Sequence, residues 1–208
     1  MDAKNTPIQH IIVGIFSLAL VSIFKFLLKI AWSTSFARVS FILLFLILII
    51  GPIMRLRKPV EGSSLLTIPF SWRGELGIWF TLTALIHFII VISSRPLSNL
   101  IKIGGDGFGL SNLLGLIALF WALLLAATSF SKVIAFLGIK SWKWLHSLTH
   151  AIFYLVFGHL IYFQFFSTYG KVGPDWFGYA TVVMTIIIIA LQLIAFIVKV
   201  TKHRKEVC

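Results

Sequence analysis

Six apolar runs constrain the fold of this chain more than any other feature. A helix needs about 20 apolar residues to cross the hydrocarbon core of a bilayer, where only helices and closed barrels satisfy their own backbone hydrogen bonds. We therefore predict an all-α integral membrane protein, a six-transmembrane-helix bundle forming a single domain over residues 1–208. The predicted spans are about 9–31, 36–54, 75–94, 109–131, 144–167 and 177–199.

Composition and charge exclude other classes of protein. Hydrophobic residues make up 59% of the chain and charged residues only 12%, whereas soluble proteins carry about 25% charged residues. The net charge of +12 does not indicate nucleic-acid binding, because most basic residues lie in short segments between the apolar runs. A single cysteine, Cys208, excludes an intrachain disulfide and a thiolate-rich metal site.

Glycine and proline mark the predicted breaks between helices. The first run has no clear cleavage site, so we expect a retained helix whose end is marked by Lys25 and Lys29 unless these lysines snorkel. The other break signals are Gly51-Pro52 at the end of the second helix, Arg95-Pro96 after the third, Gly104-Gly105-Asp106-Gly107 before the fourth and Gly173-Pro174-Asp175 before the sixth.

The distribution of lysine and arginine predicts the topology. Twelve of the 18 basic residues fall on the side of the termini, and six on the other side. By the positive-inside rule, both termini are cytoplasmic in a multi-pass protein of the inner or plasma membrane. The majority side holds Lys4, Arg55, Arg57, Lys58, Arg73, Lys132, Lys140, Lys143, Lys199, Lys202, Arg204 and Lys205, and the other holds Lys25, Lys29, Arg38, Arg95, Lys102 and Lys171.

Histidines are the candidate functional residues. His87 lies in the third apolar run, His146, His150 and His159 lie in the fifth, and His10 stands at the start of the first. Ionisable groups inside a membrane span are costly and often functional. Imidazole is the commonest protein ligand for metals and holds haem iron from packed helices.

Their depths favour a shared haem between His87 and His159. His159 lies roughly 20 Å further out than His146, and His87 lies roughly 21 Å along the third helix from Arg73. Both are thus expected at matching depth in the outer half. His146 and His159 are about 140° apart on an ideal helix, so they need not face the same neighbour. His150, one turn from His146, is a substitute ligand or a hydrogen-bond donor to it.

A structural role is the competing interpretation for each histidine. A single histidine in a membrane helix is often only hydrogen-bonded to a neighbouring helix, which stabilises by about 0.6 to 2 kcal/mol. For a depth-matched pair together with His146, the haem hypothesis and the structural role have equal weight. The reason is that haem needs ligands on helices of a bundle core.

Several short patterns resemble the ferric reductase-like transmembrane family. The similarity covers about residues 40–165, and its nearest group is MsrQ, a group of haem-binding membrane subunits. The histidine spacing is the most specific part. The patterns are Leu137-Gly138-x3-Trp142-x2-Leu145-His146 with His159 thirteen positions on, Arg73-x2-Leu76-Gly77-x-Trp79 with His87, Gly51-Pro52 followed by basic residues, and Thr128-Ser129.

The resemblance implies haem ligands and an electron path. Under it, His87, His146 and His159 hold the iron of one or two haem b groups. Two-haem relatives carry another histidine where this chain has Arg73 or Gly74, so an inner haem would take His10 or His150 instead. Such proteins pass electrons from quinol or a flavin reductase, with FMN or quinone involved, to an extracytoplasmic acceptor. That acceptor would be a periplasmic methionine sulfoxide reductase or a metal ion.

Two other function classes stay open at this point. One alternative is a stand-alone transmembrane ferric or metal reductase component. The other is a non-redox membrane transporter. Transporters tend to show broken helices or paired charges at the midplane, which the sequence does not clearly show. Gly104–Gly109 follows no strand and is therefore no dinucleotide fingerprint. No catalytic residue is predicted, since the chain would be an electron-transfer subunit of a membrane oxidoreductase.

Overall fold

The computed structural model describes residues 7–56, 72–95, 97–100, 108–167 and 173–207. Over those residues the regular elements are all helical, and six spans are long and apolar enough to cross a membrane. The predicted all-α bundle of six transmembrane helices is therefore confirmed. In chain order the helices are α1 (Pro7–Ser22), α2 (Trp32–Leu56), α3 (Arg73–Ser94), α4 (Leu97–Leu100), α5 (Phe108–Ala127), α6 (Ser131–Leu137), α7 (Ile139–His146), α8 (Thr149–Ile161) and α9 (Trp176–Val207).

Helix α2 occupies the centre of the bundle. It packs against α1, α3, α8 and α9, while α5 closes the bundle by packing on α3 and α8. Val39, Phe41, Leu43 and Leu44 on α2 have no solvent-exposed surface. The remaining spans present many large apolar side chains on their outer faces, as expected of helices that contact lipid. The bundle thus has one buried helix surrounded by lipid-facing ones.

The first span ends where its lysines predicted. A π-helical turn, Ile23–Leu27, extends α1 and contains Lys25. Lys29 then adopts a φ of +53°, a left-handed conformation that an α-helix does not accommodate. Lys29 therefore lies beyond the end of the span rather than within it.

Pro52 does not end the second span, contrary to the prediction. The helix continues through Gly51 and the buried Pro52 to Leu56. Proline removes one backbone donor, which membrane helices tolerate where neighbouring helices pack around the site. Two other signals hold, since α3 ends at Ser94 with Arg95 extended before proline, and α9 begins directly after Asp175.

The fifth span is an interrupted helix rather than one continuous rod. Its 28 residues run from Ile139 to Phe166, but turns at residues 147–148 separate α7 from α8, and a π-helical turn, Tyr162–Phe166, closes it. The angle of about 140° expected between His146 and His159 assumed an uninterrupted helix. The two histidines therefore belong to different helical segments.

An ion pair fixes the start of α9 against α2. Arg38 on α2 is 4% exposed and pairs with Asp175. The other oxygen of Asp175 accepts hydrogen bonds from the backbone N–H groups of Phe177 and Gly178, at 3.0 and 3.1 Å. Asp175 therefore caps α9, in the manner typical of aspartate at a helix N-terminus, and neutralises a buried arginine at the same time.

Some sequence predictions fall outside the described residues. They concern the glycine-rich stretch before α5, most of the basic run after α2, and several single positions. These are Lys4, Arg57, Lys58, Lys102, Gly104, Gly105, Asp106, Gly107, Lys171 and Cys208.

A glycine controls how closely α1 approaches α3. A Cβ atom built on Gly14 would lie 2.5 Å from Cζ2 of Trp79, inside the indole ring's van der Waals surface. Small residues allow such close helix contacts in membrane proteins. By contrast, Gly77 on α3 has nothing within 4 Å of a built Cβ.

We expect Gly14→Ala to destabilise the bundle and Gly77→Ala not to. The added methyl forces α1 away from Trp79, and overpacking of this kind costs about 1–3 kcal/mol, whereas Gly77→Ala gains helix propensity. The midpoint of thermal unfolding in one detergent measures both variants. Equal midpoints for the two variants would contradict the α1–α3 packing described here.

Candidate functional site

His87 is tied to the beginning of α2. It lies in the second half of α3, which packs along α2. Its Nδ1 atom is 2.9 Å from the carbonyl oxygen of Ser33 and 3.0 Å from the hydroxyl of the same residue. Because Ser33 stands in the first turn of α2, the ring of His87 is held near the end of the bundle where α2 begins.

His159 is tied in the same way to the beginning of α5. Its Nδ1 atom is 2.8 Å from the carbonyl oxygen of Ser111, whose hydroxyl donates back to the carbonyl of His159 at 3.1 Å. A Cβ atom on Gly115 would lie 2.9 Å from the same Nδ1 atom, so only glycine leaves room for the ring. Phe163 packs edge-on against the imidazole, with ring centroids 5.0 Å apart.

The structure brings His87 and His159 into one neighbourhood. His87 is hydrogen-bonded at the start of α2 and His159 at the start of α5, and both helices begin at the same end of the bundle. His87 lies on α3 and His159 lies on α8, and each of these two helices packs against both α2 and α5. We call this end of the bundle, where α2 and α5 begin, the histidine-pair end.

The hydrogen bonds assign the same tautomer to both rings. A carbonyl oxygen can only accept, so Nδ1 of each ring must carry the proton that it donates to Ser33 or Ser111. The Nε2 atoms then carry the lone pair, and no described residue forms a hydrogen bond with either of them. Metal-binding histidines usually donate their second ring N–H to a carbonyl or carboxylate in this way. In each ring of the pair, the Nε2 lone pair therefore stays unused by the described residues.

His146 lies at the opposite end of the bundle. It ends α7 and is separated from His159 by the length of α8, roughly 20 Å for 13 residues. Its Nε2 atom is 3.4 Å from the hydroxyl of Thr128, and its ring stacks on Trp142 with centroids 4.3 Å apart. The structure therefore does not bring His146 together with the pair.

The two candidates for an additional inner ligand are differently placed. Both ring nitrogens of His150 are engaged, Nδ1 with the carbonyl of Ser147 at 3.1 Å and Nε2 with the amide of Gln192 on α9. His150 would have to break the Gln192 contact to bind a metal through Nε2. His10 on α1 interacts electrostatically with the buried Glu75, at the same end of α3 as Arg73.

Within the part of the chain that the structure describes, the two histidines do not belong to a larger cluster of potential metal ligands. Across the described ranges, no three His, Cys, Asp or Glu side chains converge as a site for a metal ion. Two imidazoles on separate helices are, however, the complete protein ligand set of a bis-histidine haem. Sequence reasoning missed Ser33, Ser111 and Gly115, and the only available signal was that small residues favour close contact between membrane helices.

We expect both histidines of the pair to be in the Nδ1–H tautomer in the cofactor-free protein. Nitrogen-15 NMR of histidine-labelled protein in nanodiscs should show a pyrrole-like Nδ1 and a pyridine-like Nε2 for each ring. His87→Gln and His159→Gln assign the signals by their disappearance. A pyridine-like Nδ1 at either position would be incompatible with the carbonyl hydrogen bonds.

Comparison with known proteins adds no identification. The sequence matches no protein-family model and none of the curated proteins with which it was compared. The resemblance to the ferric reductase-like transmembrane family therefore stays a prediction from the residue patterns. The histidine pair is the feature of the structure that bears on function.

Proposed function

We propose that this protein is a membrane haem b electron-transfer protein. The observation that carries the proposal is the His87–His159 pair, in which both Nδ1 atoms are hydrogen-bonded to backbone carbonyls and both Nε2 atoms are left without a bonding partner among the described residues. If these two partly buried rings served for hydrogen bonding alone, only one nitrogen of each would be used. A haem iron between the helices would use the other two.

The donor set fits haem. His87 and His159 would hold the haem iron through their Nε2 atoms, and the haem when bound would supply one-electron chemistry. Ser33 and Ser111 orient the rings through their carbonyl oxygens, and Gly115 leaves the space that the His159 ring fills. Any second haem would depend on His146, with His10 or His150 as its partner, so the geometry favours one haem.

The proposed direction of transfer is from the cytoplasmic side outward. Arg55, Arg73, Lys140 and Lys143 belong to the end of the bundle opposite the histidine pair, and the positive-inside rule assigns that end to the cytoplasm. A nicotinamide-binding domain needs a parallel sheet, and the described residues form helices alone. The proposed donor is quinol or a flavin reductase. The acceptor is an extracytoplasmic protein, with a methionine sulfoxide reductase as the candidate that the resemblance favours.

The first test is the absorption spectrum of reduced and oxidised protein. His87→Ala and His159→Ala should each abolish a low-spin b-type spectrum, because each removes one axial nitrogen. Gly115→Ala should lower the haem-to-protein ratio, since its methyl occupies the position of the His159 ring. Gly158→Ala is the control, because a Cβ atom built there has only an ordinary contact 3.4 Å away. His150→Ala should retain the spectrum. Full haem content with unchanged spectra in both pair variants would refute the proposal.

The second test concerns the source of electrons. In inside-out vesicles containing only this protein, NADPH alone should not reduce the haem, because the described fold offers no nicotinamide site. Adding quinol, or a flavin reductase with its substrate, should reduce it and pass electrons to an acceptor enclosed in the lumen. Rapid reduction by NADPH without a flavoprotein would contradict this proposal, as would haem that is reducible only from the lumen.

A further inference from the structure

Arg73 lies at the end of the bundle opposite the histidine pair, and no described carboxylate pairs with it. It begins α3, is half-buried, and reaches toward Gly51 of α2, where a built Cβ would lie 3.9 Å from Nη1. Its charged or titratable neighbours are Arg55, in the last turn of α2, and His146. We call this group of three residues the arginine cluster. A guanidinium keeps its proton at physiological pH, so two positive charges are held close together.

The other buried arginine shows how this chain neutralises such a charge. Arg38 pairs with Asp175. Its guanidinium also lies over aromatic rings, 5.0 Å from the centroid of Phe177 and 5.6 Å from that of Trp176. A buried arginine needs compensation of this kind, because its desolvation is otherwise costly.

No such compensation for the arginine cluster is found among the residues that the structure describes. Within the described residues, no carboxylate forms an ion pair with Arg73 or Arg55. Glu75 stands two positions after Arg73, and residues so spaced do not face each other on a helix. Glu75 interacts electrostatically with His10 instead. The whole chain has only 6 acidic residues against 18 basic ones. The described residues therefore leave the cluster without a counter-anion.

The surrounding residues place the cluster at the level of lipid headgroups. Trp142, which stacks on His146, donates its indole N–H to the carbonyl of Thr128 at 3.1 Å, just after the end of α5. Next to it, Trp144 is 74% exposed, and Lys143 is exposed on the same short helix. Exposed tryptophan and lysine together are typical of the membrane–water interface. The anion most available at that depth is the phosphate of a lipid.

We propose that Arg73 and Arg55 bind the phosphate of an anionic phospholipid headgroup between the ends of α2 and α3. Guanidinium groups match phosphate oxygens through paired N–H donors. The acyl chains would lie along the exposed apolar faces of the neighbouring spans. A net-negative headgroup is selected because it lowers the excess positive charge of the two arginines, which a zwitterionic headgroup does not. This site is separate from the histidine pair and does not depend on haem.

The test uses the full-length protein in neutral detergent, titrated with phosphatidylglycerol or phosphatidylcholine. Native mass spectrometry counts the retained lipids, and the thermal midpoint reports binding independently. Wild type should retain phosphatidylglycerol in preference to phosphatidylcholine. Arg73→Gln and Arg55→Gln should each weaken phosphatidylglycerol binding about fivefold, as expected for removing one basic residue near a headgroup. Arg73→Lys should lose less than Arg73→Gln, because it keeps the charge.

The matched control is Arg95→Gln, which removes an exposed arginine immediately after the other end of the same helix. It should bind like wild type. Glu61→Gln, outside the described residues, tests whether that carboxylate is the counter-ion, and it too should bind like wild type.

Three outcomes would overturn the proposal. The first is equal phosphatidylglycerol binding by wild type and both arginine variants. The second is equal stabilisation of wild type by inorganic phosphate, which would indicate a site for a soluble anion. The third is loss of haem without loss of lipid in Arg73→Gln, which would assign the arginine to a haem carboxylate. Arg55→Gln keeps the test valid if Arg73→Gln fails to fold, because Arg55 is exposed.

Discussion

The central position of α2 is the constraint on which the rest of the structure depends. Every other spanning helix except α5 packs against it, and its buried face is formed by fully enclosed apolar side chains. Association of helices within lipid relies on close van der Waals packing rather than on expulsion of water. A helix that contacts four others therefore fixes their relative positions, and it also carries Ser33 and Arg38, which hold His87 and the start of α9.

The histidine pair follows from that arrangement. Two backbone carbonyls near helix starts, at Ser33 and Ser111, point toward rings on the adjacent helices. The carbonyl of a residue in the first turn is available to a ring as well as to its own helix, since an oxygen has two lone pairs. Each ring is thus fixed in tautomer and orientation before any cofactor arrives. Such prior ordering lowers the entropic cost of binding.

Hydropathy alone was sufficient to predict the number of spans and the class of fold, because the bilayer sets the required length of each helix. It also indicated the end of α1 near Lys29 and the start of α9 after Asp175. It failed at Pro52, where tertiary packing overrides the usual effect of proline, and at residues 147–148, where a break occurs without glycine or proline. The depth of His87 and His159 followed from counting residues. Their partners did not, because contacts between helices depend on rotation and crossing angle, which one sequence does not specify.

The two buried arginines reveal how unevenly the charges are balanced along the bundle. At the histidine-pair end, Arg38 has Asp175 and a set of aromatic rings within its own chain. At the opposite end, Arg73 has another arginine as its neighbour. Because uncompensated charge is tolerated only where water or anions can reach it, this asymmetry places the second end at the bilayer surface. At the histidine-pair end, by contrast, the charge of the buried Arg38 is balanced within the chain by Asp175.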